Sequence, residues 1–535
     1  MILSIELGNV RIFEGENWRF DLKPLTVFCG ANSAGKSTLL KTLLVLSQSQ
    51  NQKFAGRLCL AGPRVDFGEY RSFVSHQDVS KTVSMAATVD LMVGSSTIEF
   101  IRSRTRSGVR SKSAANDVAK PAELRAAFTF SLPSTPECTS AKRRGPLRDT
   151  DGRSAQAVTV SASLESATFQ VFLQKERLLE WKVLRSEQED RAYGHYQILL
   201  PTAYFKQAGG FNMMSITSAG DWVRGIATLN GLLPQSIIAK SKLRNEAKSG
   251  AGAEVDAEEF GAFPMPPFVQ QALWAFDEAL EKVHYLGPLR APAKRYYVAN
   301  LGTDPGMDAS GEFLPYVLRD RSDQRVLNVP PGSRGKPVRQ TLAEALGGWV
   351  AFLRTGEAHS RKQTTDEVVL NTTKQVLVQI NVKSISGTES HALADSGFGY
   401  SQVLPILVRG LLADQDSTFI VEQPELHLNP ALQVRLAEFF ISMVRAGKQV
   451  LIETHSEHIV NAIRVLTAED ESGFMSERSR IYFIDTSGTT PALHELSVQK
   501  DGTVPDWPRY FFGEAVELTG RLLRAQKRFR SVGEK

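Results

Sequence analysis

The chain reads as an α/β protein. It has a mostly parallel sheet covered by helices, an antiparallel β region and a helical insertion. Three observations predict this. An apolar, β-prone run, Leu25-Thr26-Val27-Phe28-Cys29, passes through a glycine-rich turn into apolar residues at helical spacing. From about Asp395 onward, helix-type and strand-type patterns alternate, as a two-sided parallel sheet requires. Between Val83 and Leu200 the dominant period is two, which marks antiparallel strands with one wet face.

In order, residues 1–82 read as strand, strand, glycine-rich loop and helix, with a strand and turn from Leu58 to Tyr70. Residues 83–205 form the antiparallel region, with strands expected at Val83–Leu91, Thr97–Ile101, Ala157–Leu164, Phe169–Leu173 and Trp181–Leu184. Residues 206–284 turn helical, broken at Lys240–Ala257 by a linker-like stretch. Residues 285–490 return to α/β, with a helix at Leu342–Leu353 and a strand at Val376–Val382, and 491–535 form a tail.

At 535 residues, of which 42% are hydrophobic and 23% charged, the chain has material for several packed cores. No apolar run reaches the ~18 residues of a membrane-spanning helix, and the N-terminus lacks the pattern of a secretory signal. Cys29, Cys59 and Cys138 are odd in number and lack metal-type spacing, so a reducing cytoplasm is expected.

The net charge is only +5, but it is unevenly spread. From Arg102 to Arg148, eleven Lys/Arg face three acids, Asp117, Glu123 and Glu137. Arg521, Arg524, Lys527, Arg528 and Arg530 form a second basic cluster. Each cluster reads either as a nucleic-acid phosphate contact or as a solvated loop.

The chemistry begins at Gly30-Ala31-Asn32-Ser33-Ala34-Gly35-Lys36-Ser37-Thr38, which fits G-x-x-x-x-G-K-[ST] at every fixed position. Small residues let backbone N–H groups cradle a phosphate, and the following helix N-terminus adds partial positive charge. Lys36 reaches β- and γ-phosphates, and the Ser37 hydroxyl holds Mg²⁺. The loop alone therefore predicts a nucleoside triphosphate with Mg²⁺.

Ser417–Glu422 is an apolar strand ending in an acid, the place from which such sites hold Mg²⁺. Asn429 then caps a helix that opens with Pro430 and closes near Gly447. Gln449–Glu453 is a further strand, and His455 just beyond it is placed to touch the γ-phosphate or the attacking water. Asp395–Gln402 precedes a helix expected at Val403–Leu412, with Pro405 in its first turn. That brings glycines, Ser401 and Gln402 to a second anion-binding helix start.

With these residues in order, the sequence resembles ABC-type ATPase heads, the group that includes SMC, recombination and OLD-type proteins. It is most similar to predicted bacterial AAA-family ATPases marked by YLGPLR, GFGxSQVLP, VEQPELHLxP and ETHSEH. Here these are Tyr285–Arg290, Gly397–Pro405, Val421–Pro430 and Glu453–His458. Asp501–Pro508 and Phe511–Glu514 match a tail of the same group. The resemblance covers roughly residues 1–80 and 283–520.

It implies that this triphosphate is ATP, with two nucleotides sandwiched between two protomers and the Ser401 region of one chain facing the phosphate loop of the other. It gives Glu422 the metal and catalytic place. It also implies a glutamine that senses the γ-phosphate at the metal site, for which Gln77 is the candidate while Gln48 and Gln50 compete. Many such heads carry a second acid after the metal acid; here that position is Gln423, with Glu425 two residues on. Glutamine orients water but takes no proton, so slow hydrolysis is expected. Relatives of this kind, such as Septu and retron-associated ATPases, serve anti-phage defence beside a separate nuclease. No nuclease motif is visible in this sequence. The expectation is an ATPase that dimerises on nucleotide and controls a nucleic-acid-acting effector. A DNA-clamping, repair-like ATPase is the alternative, and a transporter subunit the third.

Overall fold

The computed structural model describes residues 1–16, 18–50, 55–95, 97–98, 119–132, 162–190, 194–201, 218–219, 222–242, 258–298, 308–358, 368–373, 377–383, 389–395, 398–486, 488, 491–505, 507–508, 518, 520–524 and 526. The chain divides into two compact units. One comprises Met1–Asp21 and Thr38–Val283, the other Leu22–Ser37 and His284–Lys535.

The first unit is built on an antiparallel sheet that is 11-stranded among the described residues. Its strands include Ile2–Gly8, Val83–Gly94, Ala119–Ser131, Ser163–Leu173, Glu176–Asp190 and Gly194–Pro201. Ala119–Ser131 alternates exposed or half-buried with buried positions over most of its length, as the period of two requires. Leu173 and Glu176 pair across Gln174 and Lys175, which both take positive φ (50° and 70°), the backbone of a tight primed hairpin turn. The inner face packs aromatically: Phe169 stacks on Trp181 at 5.2 Å, and Phe128 meets Phe276 at 5.9 Å. Phe276 belongs to helix Pro267–Glu281, whose Val269, Ala272, Leu273 and Leu280 are buried beside it in the sequence pattern of one helix face.

The helical reading of residues 206–284 is corrected here. Trp222–Asn230, Leu233–Lys242 and Glu258–Pro264 are strands of the same sheet, and helix is confined to Pro267–Glu281 in that stretch of the described residues. Asn230-Gly231 is a hairpin signal, and Ile226, Thr228, Ile237 and Ile238 are β-branched. Asn230 pairs with Leu233 across that turn. Residues 206–217, 220–221 and 243–257 of the expected insertion lie outside the described residues. Two smaller differences accompany this. In Leu58–Ala61 only Ala61 makes a bridge, an isolated one to Asp66, and Thr97 and Ile98 are helical where the strand Thr97–Ile101 was expected, its residues 99–101 lying outside the described ones.

The second unit holds a six-stranded sheet. Its order is Val283–Leu286, Thr418–Glu422, Gln449–Glu453, Leu25–Gly30, Ser479–Asp485, Ala492–Leu496. Gln449–Glu453 runs parallel to both Thr418–Glu422 and Leu25–Gly30, and Ser479–Asp485 runs parallel to Leu25–Gly30. Thr418–Glu422 and Gln449–Glu453 are buried at every position, which is why they read as continuous apolar runs rather than alternations. Helices Leu342–Thr355, Phe398–Leu412 and Pro430–Arg445 contribute to one core, in which Trp349 meets Phe439 edge-on at 5.1 Å.

The expected Asn429 cap is present, and a second helix start is capped as well. Asn429 accepts from Leu432 N at 2.9 Å with Pro430 at the first position. Thr341 and Glu344 form a reciprocal capping box. One helix start differs: Phe398–Leu412 begins five residues ahead of Val403, which places Pro405 inside the helix rather than in its first turn.

Candidate functional site

Parallel pairing brings the critical strand ends level. Glu422 is the register partner of Glu453, and Glu453 is the register partner of Phe28, two residues before Gly30. The phosphate loop and two acids therefore leave the same edge of the sheet from three adjacent strands, as topology dictates for ligand sites in such sheets.

The loop's first glycine is required by packing. Gly30 has φ 140°, and a Cβ there would lie 2.4 Å from the Ile484 carbonyl oxygen. Ser33 and Gly35 also take positive φ (64° and 78°), the conformation that turns successive N–H groups inward into an anion cradle. Ala31, Asn32 and Ser33 are exposed at the tip, while Ala34, Lys36 and Thr38 are buried. The Lys36 ammonium donates to the carbonyls of Ala31 (2.7 Å) and Gly30 (3.1 Å). Burial lowers its pKa, against the opposing pull of Glu453, Cys29 and Glu425. Burial pushes the neighbouring Cys29 thiol up, so this cysteine is a packed strand residue rather than a reactive one.

Ser37 donates to Glu453 Oε1 at 2.8 Å. Sequence reasoning assigned the metal role to Glu422 and missed Glu453, although the Glu453–His458 motif contains it. The overlooked signal is positional: both acids close apolar strands of equal length. A hydroxyl and carboxylates at one loop end are hard oxygen donors of the kind Mg²⁺ uses alongside water and phosphate oxygens.

Glu425 and His455 are also brought together. The His455 backbone N–H donates to Glu425 Oε1 at 2.7 Å, and Thr454 donates to Oε2 at 2.8 Å. Burial raises the Glu425 pKa, and those donors and Arg290 counter it. The half-buried His455 ring hydrogen-bonds the backbone of Gly30; burial and the Lys36 charge lower its pKa, which favours neutral imidazole. Gln423 adopts φ 44°, and its N–H donates to the Glu453 carbonyl at 2.7 Å.

The remaining candidates lie elsewhere. Ser401 and Gln402 are 5% and 2% exposed. Ser401 lines a cleft of about 250 Å³ with Pro292, Tyr297, Phe313, Leu393 and Pro405. Ser396 and Gly397 of the same motif lie outside the described residues. Gln77 belongs to the first unit, exposed at the end of a short turn with φ 57°. Gln48 is committed to structure there, donating to the Cys59 and Val65 carbonyls, and Gln50 accepts from Leu232 N.

Of the basic segment, only Lys120 and Arg125 are described, and Arg125 is paired bidentately with Glu6 at 2.9 and 2.6 Å. Arg521 and Arg524 of the tail are described; Lys527, Arg528, Arg530 and Phe511–Glu514 lie outside the described residues. No helix among the described residues is long and apolar enough to cross a membrane.

No curated protein matches the chain. Among solved structures it is similar to the Smc head bound to the C-winged helix domain of ScpA, at 10% identity and TM-score 0.37, covering 93% of this chain and 98% of that one. An SMC head domain from Thermotoga maritima aligns at 8% identity and TM-score 0.34, covering 93% and 99%. A Smc head domain with an extended coiled coil, bound to the C-terminal domain of ScpA and derived from Pyrococcus furiosus, aligns at 9% identity and TM-score 0.33, covering 93% and 96%. TM-scores this low leave these as bare likenesses. Residues 348–460 match the AAA ATPase domain family, and that span contains Ser401, both acids of the strand pair, Glu425 and His455. The matched portion, about a fifth of the chain, supplies the acid and histidine half of the candidate site.

Proposed function

We propose that this chain binds ATP with Mg²⁺ and hydrolyses it slowly. The observation that carries the reading is the Ser37–Glu453 hydrogen bond at the mouth of the phosphate loop, with Glu422 level beside it. Mg²⁺ would be held by Ser37 and by Glu453 or Glu422, and when bound it neutralises charge building on the phosphates. Lys36 exchanges its loop carbonyls for β- and γ-phosphate oxygens. His455, neutral and bonded through one ring nitrogen to the Gly30 backbone, offers the other to accept from the attacking water. Gln423 orients that water but takes no proton. Glu425 already accepts from Thr454 and His455, so it ties the acid turn to the histidine strand. With no uncommitted carboxylate in the base position, turnover is slow.

Pairing of two chains across the nucleotide is supported by the resemblance of Gly397–Pro405 to the Gly/Ser helix start of ABC-type heads. Control of a separate nucleic-acid-acting nuclease in anti-phage defence is supported by the likeness to Septu and retron-associated ATPases, together with the lack of nuclease motifs in this sequence. Copurification from the native operon tests that part: a nuclease retained with the chain supports it, and a permease retained instead sinks it. The nucleotide claim is tested by Lys36→Ala, which should weaken ATP binding by about 100-fold, the scale of lost charge-assisted contacts. Normal ATP binding by that variant in equilibrium dialysis overturns the site.

A further inference from the structure

Tyr285-Leu286-Gly287-Pro288-Leu289-Arg290 has so far been given no chemical role. Tyr285 and Arg290 are each 7% exposed, and both face the acid turn. The Val283–Leu286 strand is the sheet neighbour of Thr418–Glu422, and burial, then the Glu422 charge and a hydrogen bond to its carboxylate, raise the Tyr285 phenol's pKa. Arg290 Nη2 donates to the Glu422 carbonyl at 2.9 Å, and Nη1 reaches the Gln423 carbonyl at 3.5 Å. Those two carbonyls flank Gln423, whose left-handed backbone (φ 44°) is strained for a non-glycine residue. The segment is itself anchored: Gly287 N donates to the Ala309 carbonyl and Ala291 N to the Ser310 carbonyl, both at 2.8 Å.

The charge arrangement has the same sense. Glu422, Glu425 and Glu453 converge near two buried cations, Lys36 and Arg290. Lys36 is the one that nucleotide phosphates would draw away. Arg290 interacts with the charges of Glu425 and Glu422, yet it spends its hydrogen bonds on main-chain carbonyls. It therefore supplies positive potential to the acid turn while its hydrogen bonds hold the main chain. A lysine cannot clamp two carbonyls with a planar fork in this way.

We propose that Tyr285 and Arg290 are positioning residues for the Mg²⁺-dependent step: Tyr285 aims the Glu422 carboxylate, and Arg290 clamps the strained peptide that carries Gln423. This rests on the reading of the site as an Mg²⁺–ATP site. The test measures binding of a fluorescent ATP analogue with Mg²⁺ and with EDTA, and ATP turnover, in Tyr285→Phe, Arg290→Lys and Arg290→Met. In EDTA, all three should bind within about twofold of wild type, because none touches the phosphate loop. The Mg²⁺ concentration that half-saturates the Mg²⁺-dependent gain in affinity should rise about tenfold in Tyr285→Phe, the usual scale for lost outer-shell support. Arg290→Met should lose about tenfold or more in kcat with KM nearly unchanged, and Arg290→Lys should recover only part of it.

Equal losses with and without Mg²⁺ would mean that the variants only loosen the fold, and would overturn the inference. So would wild-type Mg²⁺ dependence and turnover in all three. Tyr285→Phe and Arg290→Lys preserve size and keep the test open should Arg290→Met fail to fold. A wild-type chain that binds no nucleotide fails the site and the inference together; one that binds normally beside indifferent variants fails the inference alone.

Discussion

The two sheets of this chain use strands in opposite ways. In the antiparallel sheet of the first unit, one face of many strands is wet, so charged and polar side chains there pair with one another. Arg125 grips Glu6, Arg19 reaches Glu6 and Asp21, and Gln170 bonds Glu180. Those polar groups satisfy one another. In the parallel sheet of the second unit, the faces are buried and polar groups collect where strands end. Glu422, Glu453, Thr454 and His455 all lie at or just past such ends, on the edge that bears Gly30–Ser37. Chemistry gathers where a fold must put its polar residues close together without pairing all of them off.

The sharpest way to break this contrast is to neutralise one acid in each sheet. Glu453→Gln should lower the Mg²⁺-dependent gain in ATP affinity by about 10–100-fold, and Glu422→Gln should do likewise. Glu6→Gln, in the antiparallel sheet, should leave it unchanged. Titration of a fluorescent ATP analogue against Mg²⁺ checks all three. If Glu453→Gln behaves like wild type while Glu422→Gln does not, the Ser37–Glu453 bond only props the loop.

The next effect runs in the opposite direction. Gln423→Glu places a proton acceptor where Gln423 stands, so kcat should rise roughly tenfold or more. The left-handed backbone at 423 is strained equally for both residues, so the change isolates the proton. An unchanged steady-state rate means that another group already takes the proton, and Glu425→Gln then identifies it by stopping turnover.

The same contrast explains what was legible in the sequence. The phosphate loop, the acid strand, the Asn429–Pro430 helix start and the histidine strand are local patterns, and each was readable from its own residues. Pairing is not local. Glu453 acquires its place only because its strand lies between Thr418–Glu422 and Leu25–Gly30, an order that departs from chain order. Tyr285 and Arg290 matter because a distant strand passes behind the acid turn. The strands of 222–264 were read as helix because their alternation is broken by Gly225, Gly231 and Pro234, while the Asn230-Gly231 turn between them was passed over. The start of helix Phe398–Leu412 moved because Pro405 suggested a first turn that the backbone had already passed.

A further contrast separates buried from exposed charge. Lys448, 1% exposed, donates its ammonium group to the Gly410 and Leu411 carbonyls at 2.9 and 3.0 Å. Burial draws its pKa down to about 7, and Asp414 opposes that shift. Below pH 7 both folded and unfolded chains carry the proton, so the group adds no slope. Between pH 7 and the ordinary lysine value of 10.5 the unfolded chain holds the proton and the folded chain releases it. Stability therefore rises with pH in that window, by at most about 1.4 kcal/mol per pH unit. Lys448→Met should remove the rise, as read from urea midpoints at neutral and alkaline pH. Added salt should change it little, because buried charge is poorly screened. The Arg125–Glu6 pair, 26% and 18% exposed, supplies the counterpart: Arg125→Met should cost about 1 kcal/mol or less, and high salt should shrink that cost. A salt-sensitive Lys448 slope would place its amine in water and erase the distinction between the two sheets as environments for charge.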